Sequence, residues 1–263
     1  QPVWTPKMKH KDPKVLAQTQ KDLHEYMSNY ADIVRMEDVF DVPEQIFDAE
    51  EIGMTPKQEK ALKQLDELSE NRATFFRYAN VIENGWLDEK AIDKAMVFDS
   101  DKTERVLELC NQHDTAVVFA LYRHQQDVLY EALKKKFPKH FVAIINSKTS
   151  SEASAIADEL ELIAKGEHPK YTQGYIVSSA SIAAGWECES VPLAVYASLP
   201  WSYQAFVQSQ GRILRGSNLK ANLYKILIGG DVDERIWGNL QSQTDFDPQR
   251  YADGEYDELS PDL

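Results

Sequence analysis

The sequence predicts an α/β fold, a parallel sheet flanked by helices, with a helical portion ahead of it. Three observations carry this. Five short apolar runs, 116–121 (AVVFAL), 141–145 (FVAII), 174–178 (GYIVS), 193–197 (LAVYA) and 223–228 (LYKILI), are continuous rather than alternating, as strands buried on both faces are. Helical patterns at 124–136, 151–165, 202–214 and 232–240 separate them, which is the order of a parallel sheet with right-handed crossovers. At 263 residues the chain is long enough to bury such a core.

Upstream the texture differs. Residues 1–53 read as an extended, proline-containing lead-in with one helix over 14–30, and 38–52, which alternate acids and apolar residues around Pro43, as an irregular or extended connector. Residues 54–98 read as a helical subdomain. Thr55 is a favourable N-cap, Pro56 suits the first helical position, and Gln58 stands where a capping box needs it. A second helix over 73–81 is stopped by Asn84-Gly85. Ser100 caps a third, and residues 99–244 form the sheet-containing lobe. Residues 245–263, with seven acids against one arginine, read as a disordered acidic tail.

The two cysteines, Cys110 and Cys188, are far apart in apolar surroundings, so a reducing cytoplasm is expected rather than a disulfide framework. The six histidines show no metal-ligand spacing, and no apolar run is long enough to cross a membrane. A net charge of −14 weighs against nucleic-acid binding. Its distribution weighs the other way: residues 190–230 contain no acid, while Arg212, Arg215, Lys220 and Lys225 give them a charge of +4.

That window holds the strongest chemical signal. Two arginines one helical turn apart, Arg212 and Arg215, follow Gln208 on a predicted helix. Guanidinium stays charged and forks onto two oxygens, which suits it to a phosphoryl group; the plainer alternative is a solvated helix end where cations are mildly favoured. The run KILIGGDVDE (225–234) has the outline of a strand ending on acids that hold Mg²⁺, but no GxxxxGK[ST] loop occurs in the sequence. Asp231 therefore reads as the N-cap of the next helix.

VVFALYRHQ (117–125), YIVSSASIAAGWE (175–187) and VYASLPWSYQAFVQSQGRILR (195–215) follow one another. In that order they resemble motifs IV, V and VI of superfamily 2 helicases, in their second RecA-like lobe. The upstream segments VPEQIF, MTPKQEKAL, IENGW and FDSDKTERVLEL are similar to Swi/Snf-type translocases and related phage and bacterial helicases. The resemblance covers about 41–240 and implies a RecA-like α/β fold and a part in an ATP-dependent DNA helicase or translocase.

On the matching positions it implies that Arg212 and Arg215 contact the γ-phosphate across the interlobe cleft, with Arg215 as the finger. It implies that Gln208 and Gly185 couple nucleotide state to interlobe contacts. Ser179 and Ser181 would hold the nucleic-acid backbone. Tyr122, Arg123 and His124 would meet backbone phosphates, and Trp201 would stack on a base or pack internally. Ser179 stands where the family often has threonine, and 183–186 (AAGW) where it has a glycine-rich run. ATP with Mg²⁺ would be held mainly by a first RecA-like lobe, expected ahead of Gln1 or on a partner chain. The partners implied are that lobe and DNA, with RNA an alternative, and no membrane. Two other readings stay open: a non-catalytic RecA-like adaptor that regulates another ATPase, and a nucleotide- or sugar-phosphate-binding transferase.

Overall fold

The computed structural model describes residues 22, 43–69, 71–87, 96–97, 100–180, 185–214 and 221–252. The helix expected over 14–30 lies, apart from Asp22, outside them, as do the acidic residues beyond 252. Val42–Leu263 form one compact unit.

Six parallel strands make the central sheet of that unit: β1 (Glu44–Glu51), β4 (Thr115–Phe119), β5 (Phe141–Ile145), β6 (Gly174–Ser178), β7 (Leu193–Tyr196) and β8 (Ala221–Ile228), in the spatial order β1-β8-β7-β4-β6-β5. A two-residue antiparallel pair, β2 (Trp86–Leu87) and β3 (Met96–Val97), stands apart. Every residue of β4, β6 and β7 is buried, which is why their runs are continuously apolar. The structure is thus the RecA-like α/β architecture that the sequence implies.

The helices are α1 (Pro56–Leu68), α2 (Arg72–Glu83), α3 (Asp101–Asn111), α4 (Arg123–Lys136), α5 (Ala153–Ala164), α6 (Tyr203–Gln210), α7 (Asp231–Gln241) and α8 (Pro248–Ala252). Thr55 closes a capping box with Gln58, its Oγ1 accepting from the Gln58 N–H at 3.4 Å while Gln58 Oε1 accepts from the Thr55 N–H at 2.9 Å. Asn71 caps α2 and Ser100 caps α3. After α2 the chain turns at Gly85, whose φ of 88° is costly for any side-chain-bearing residue.

The helices divide between the faces of the sheet. Leu109, Leu129 and Leu133 of α3 and α4 pack with Ala116, Val118, Tyr175 and Val195. Ala61, Phe76, Ile82, Leu160, Phe206 and Ile236, from α1, α2, α5, α6 and α7, pack on the opposite face with Val117, Phe119, Ile176 and Tyr196. The first two helices therefore share the sheet's own core.

One element departs from the sequence reading. The part of the expected connector that spans Glu44–Glu51 is a strand, paired in register with β8 from Glu44 against Ala221 to Glu51 against Ile228. Its acids face water, as suits a charged sheet edge, and Phe47 stacks on Tyr224 with ring centroids 4.8 Å apart.

Candidate nucleotide and nucleic-acid interface

From β4 the chain moves toward β6 and β5, and it later returns to the other side of β4 as β7. Helix α4, after β4, and helix α6, after β7, lie on opposite faces. The loops leaving β4 and β7 therefore diverge at a topological switch point, the place where open sheets of this kind bind ligands. Side-chain hydrogen bonds brace the two loops. The Leu121 N–H donates to Ser198 Oγ at 2.6 Å, Ser198 Oγ donates to Gln125 Oε1 at 2.6 Å, and Gln126 Nε2 donates to the Ala120 carbonyl at 2.8 Å.

The structure sorts the residues singled out from sequence. Tyr122, immediately before α4, donates its hydroxyl to Asn80 Oδ1. Burial and the neighbouring Asp233 and Glu83 carboxylates push that hydroxyl well above its ordinary pKa, so it remains a donor to Asn80. What Tyr122 offers outward is its ring. Arg123 is exposed at the first position of α4, whose first turn has no acid and no side-chain cap. This leaves N–H groups available to an anion. His124 turns inward instead and stacks on Trp86 at 5.5 Å.

Trp201 is half-buried; its Nε1 donates to Asn80 Oδ1 at 3.2 Å and its ring meets Phe246 edge-on at 5.5 Å. Ser179 sits half-buried just past the end of β6. Gly185 is exposed, and a Cβ there would meet nothing within 4 Å, so crowding is not what requires glycine. Gln208 is exposed on α6. Arg212 donates from a terminal guanidinium nitrogen to the Trp186 carbonyl at 3.0 Å and lies over the Trp186 ring at 5.4 Å. Trp186 itself is 3% exposed and packs in the core. Ser181 and Arg215 lie outside the described residues.

What sequence reasoning missed is a buried polar cluster under this rim. Lys102 and Asp233, each 1% exposed at the side chain, pair at 2.5 Å. Lys102 Nζ also donates to Asn84 Oδ1 at 2.8 Å and to the Ala197 carbonyl at 3.1 Å, at the end of β7. Asp233 accepts further from Asn80 Nδ2 at 2.8 Å and the Gly229 N–H at 3.0 Å. Glu83 accepts from the N–H groups of Val232 (3.0 Å) and Asp233 (2.8 Å), capping α7 from another element. The N-cap position of α7 is accordingly Gly230, and Asp231, read from sequence as the cap, is the first helical residue and pairs with Arg235 at 2.8 Å. The close approach leaves no room at Gly230, where a Cβ would stand 2.7 Å from Glu83 Oε1. Paired glycines before the acids were the available signal.

Burial foremost, then the Asp233 charge, raises the Glu83 carboxyl from 4.5 to about 8, against the lowering effect of its two N–H bonds. The folded state thus holds a proton that the unfolded chain releases, so this group's contribution to stability is present below about pH 4.5 and declines as pH rises toward 8. We expect Glu83→Gln to flatten the pH dependence of the unfolding free energy, obtained from urea denaturation, over that window by up to about 1.4 kcal/mol per pH unit. Parallel curves for the two proteins would show that Glu83 does not titrate there.

Comparison with known proteins agrees with this architecture. Residues 100–217 match the helicase conserved C-terminal domain family. The chain resembles the C-terminal part of the Fun30 ATPase domain with a TM-score of 0.59 at 12% identity, covering 83% of this chain and 98% of that one. It resembles the Sulfolobus solfataricus SWI2/SNF2 ATPase core with a TM-score of 0.59 at 13% identity, covering 94% of this chain and 55% of that one. The same archaeal core in complex with dsDNA gives 0.53 at 14% identity, covering 92% and 55%. The chain thus spans about half the length of those archaeal cores. No curated protein matches it. Residues 100–217 thus resemble a helicase conserved C-terminal domain, and the sheet that contains them shares its fold with the C-terminal part of the Fun30 ATPase domain and with the archaeal SWI2/SNF2 ATPase core.

Proposed function

We propose that this lobe works in an ATP-dependent DNA helicase or translocase, supplying the arginine finger and part of the strand track. The observation that carries the proposal is the helicase-domain match over 100–217, a span that includes the loops leaving β4 and β7 at the switch point. Arg215 is the finger in this reading. Arg212 holds the turn after α6 against residue 186, and Gln208 and Gly185 transmit nucleotide state. Arg123, the first turn of α4, Ser179 and Ser181 meet backbone phosphates. His124, held against Trp86, positions the start of α4 rather than touching the strand. ATP with Mg²⁺ belongs to a first RecA-like lobe, which this sequence does not contain in recognisable form because it has no GxxxxGK[ST] loop.

Purified as 263 residues, the protein is expected to turn over ATP no faster than buffer and to bind DNA weakly, with affinity falling steeply with salt. A phosphate-release assay and fluorescence anisotropy at two salt concentrations check both points. Vigorous hydrolysis by this chain alone would defeat the two-lobe reading.

A further inference from the structure

At the switch point between β4 and β7 lies a groove of about 690 Å³ lined by Thr74, Arg77, Tyr78, Val81, Leu121, Tyr122, Trp201 and Ser202. That volume falls within the roughly 300–1,000 Å³ of pockets for small ligands. Half of the lining comes from the strand loops. The other half comes from α2, where 74, 77, 78 and 81 recur at helical spacing on one face. Nothing in the helicase motifs assigns a ligand role to α2.

The chemistry of the lining is specific. It contains three aromatic rings, two hydroxyl side chains of Thr and Ser, and one cation, with no carboxylate. Arg77 is exposed and has no ion-pair or hydrogen-bond partner among the described residues. The aromatic walls are fixed from beneath: Asn80 Oδ1 accepts from both the Tyr122 hydroxyl and Trp201 Nε1, while Asn80 Nδ2 is held by Asp233 at 2.8 Å. One buried asparagine, 1% exposed, thus sets two rings from different loops. A second cavity of about 430 Å³ contrasts with this, since Glu51, Asp231 and Glu234 line it and would repel an anion.

We propose that the groove holds one nucleotide unit, its base against the rings of Tyr78 and Trp201 and its phosphate on Arg77. Base stacking on aromatic side chains is tolerant of sequence, and one guanidinium supplies the anion contact. The unit is either a residue of a polynucleotide strand, which rests on the nucleic-acid role proposed for this lobe, or a free nucleoside triphosphate. Asn80 is a positioning residue for the walls.

The test uses the full 263-residue chain at low salt with two photoprobes, a single-stranded oligonucleotide carrying 5-iodouracil and an 8-azido-ATP. If a strand is the source, the oligonucleotide crosslinks to peptides containing Tyr78 or Trp201. Arg77→Glu then weakens its anisotropy-measured affinity at least about tenfold, and Arg77→Ala lowers the salt slope by about 0.7. If a free nucleotide is the source, the azido probe labels those peptides with the same dependence on Arg77, and the oligonucleotide labels others. Tyr78→Leu should weaken the successful probe about fivefold or more while leaving the urea midpoint within error. Oligonucleotide binding that is insensitive to Arg77, crosslinked only near Arg123 or Ser179, with no azido labelling of the groove, overturns this inference and leaves the nucleic-acid role standing. Failure of the wild-type chain to bind the oligonucleotide at any salt concentration overturns that role, and absence of azido labelling then removes the groove as well.

Discussion

Arg215→Ala, introduced into a two-lobe enzyme of the kind proposed above, is expected to lower DNA-stimulated ATP turnover about a thousandfold or more, roughly 4 kcal/mol of transition-state stabilisation. Affinity for DNA should stay within about threefold, because the contacts assigned to the strand come from other loops. A guanidinium aimed across an interlobe cleft acts on charge developing at the transferring phosphoryl group, and it acts as a fork, so Arg215→Lys should recover little of the loss. Arg212 provides the contrast. Its guanidinium is already engaged by the carbonyl and ring of Trp186. Arg212→Ala should therefore loosen the join between the turn after α6 and residues 185–186, and weaken stability and turnover together. Steady-state hydrolysis with anisotropy on the same preparations checks both, and an unchanged rate in Arg215→Ala would remove that residue from the finger role.

Lys102→Met is expected to cost about 3–5 kcal/mol of unfolding free energy, since it strands the Asp233 carboxylate in a site that water does not reach. The remaining partners of Asp233, Asn80, Asn84 and the Gly229 N–H, are neutral donors and do not replace an ammonium. Because it is the lone buried charge that is costly, Lys102→Met combined with Asp233→Leu should recover much of the loss. Urea denaturation at about pH 7 reads this out as a shift in midpoint at constant slope. A single variant within about 1 kcal/mol of the parent at neutral pH would show that the pair is better solvated than its burial implies.

The two effects differ in how far they could be foreseen. Arg215 is a candidate that sequence alone proposes, because its partner arginine, the glutamine and the preceding loop are neighbours in the chain. Lys102 was not, since its partners are Asn84, Ala197 and Asp233, and no local periodicity links positions so far apart. The same distinction runs through the fold. Strands β5 and β6 begin and end where their apolar runs do, and Thr55 and Ser100 cap the helices they precede. Strand β1 escaped because an edge strand facing water alternates acids with apolar residues, and its pairing is supplied by β8 from the far end of the chain.

The rim was half legible. Tyr122 and Trp201 could be placed beside it from the motifs, and both line the groove. The contribution of α2 could not, because the sequence assigns 73–81 a helix but not the neighbour that its faces meet. Their role depends on which face of the sheet that helix packs against. By itself the sequence determined five of the six parallel strands and the caps of α1 and α3, all of which rest on residues within a few positions of one another. Tertiary structure alone decided which polar groups would be buried together and which helix would wall the switch point, because those outcomes depend on long-range packing that brings buried donors and charges from distant parts of the chain to one another.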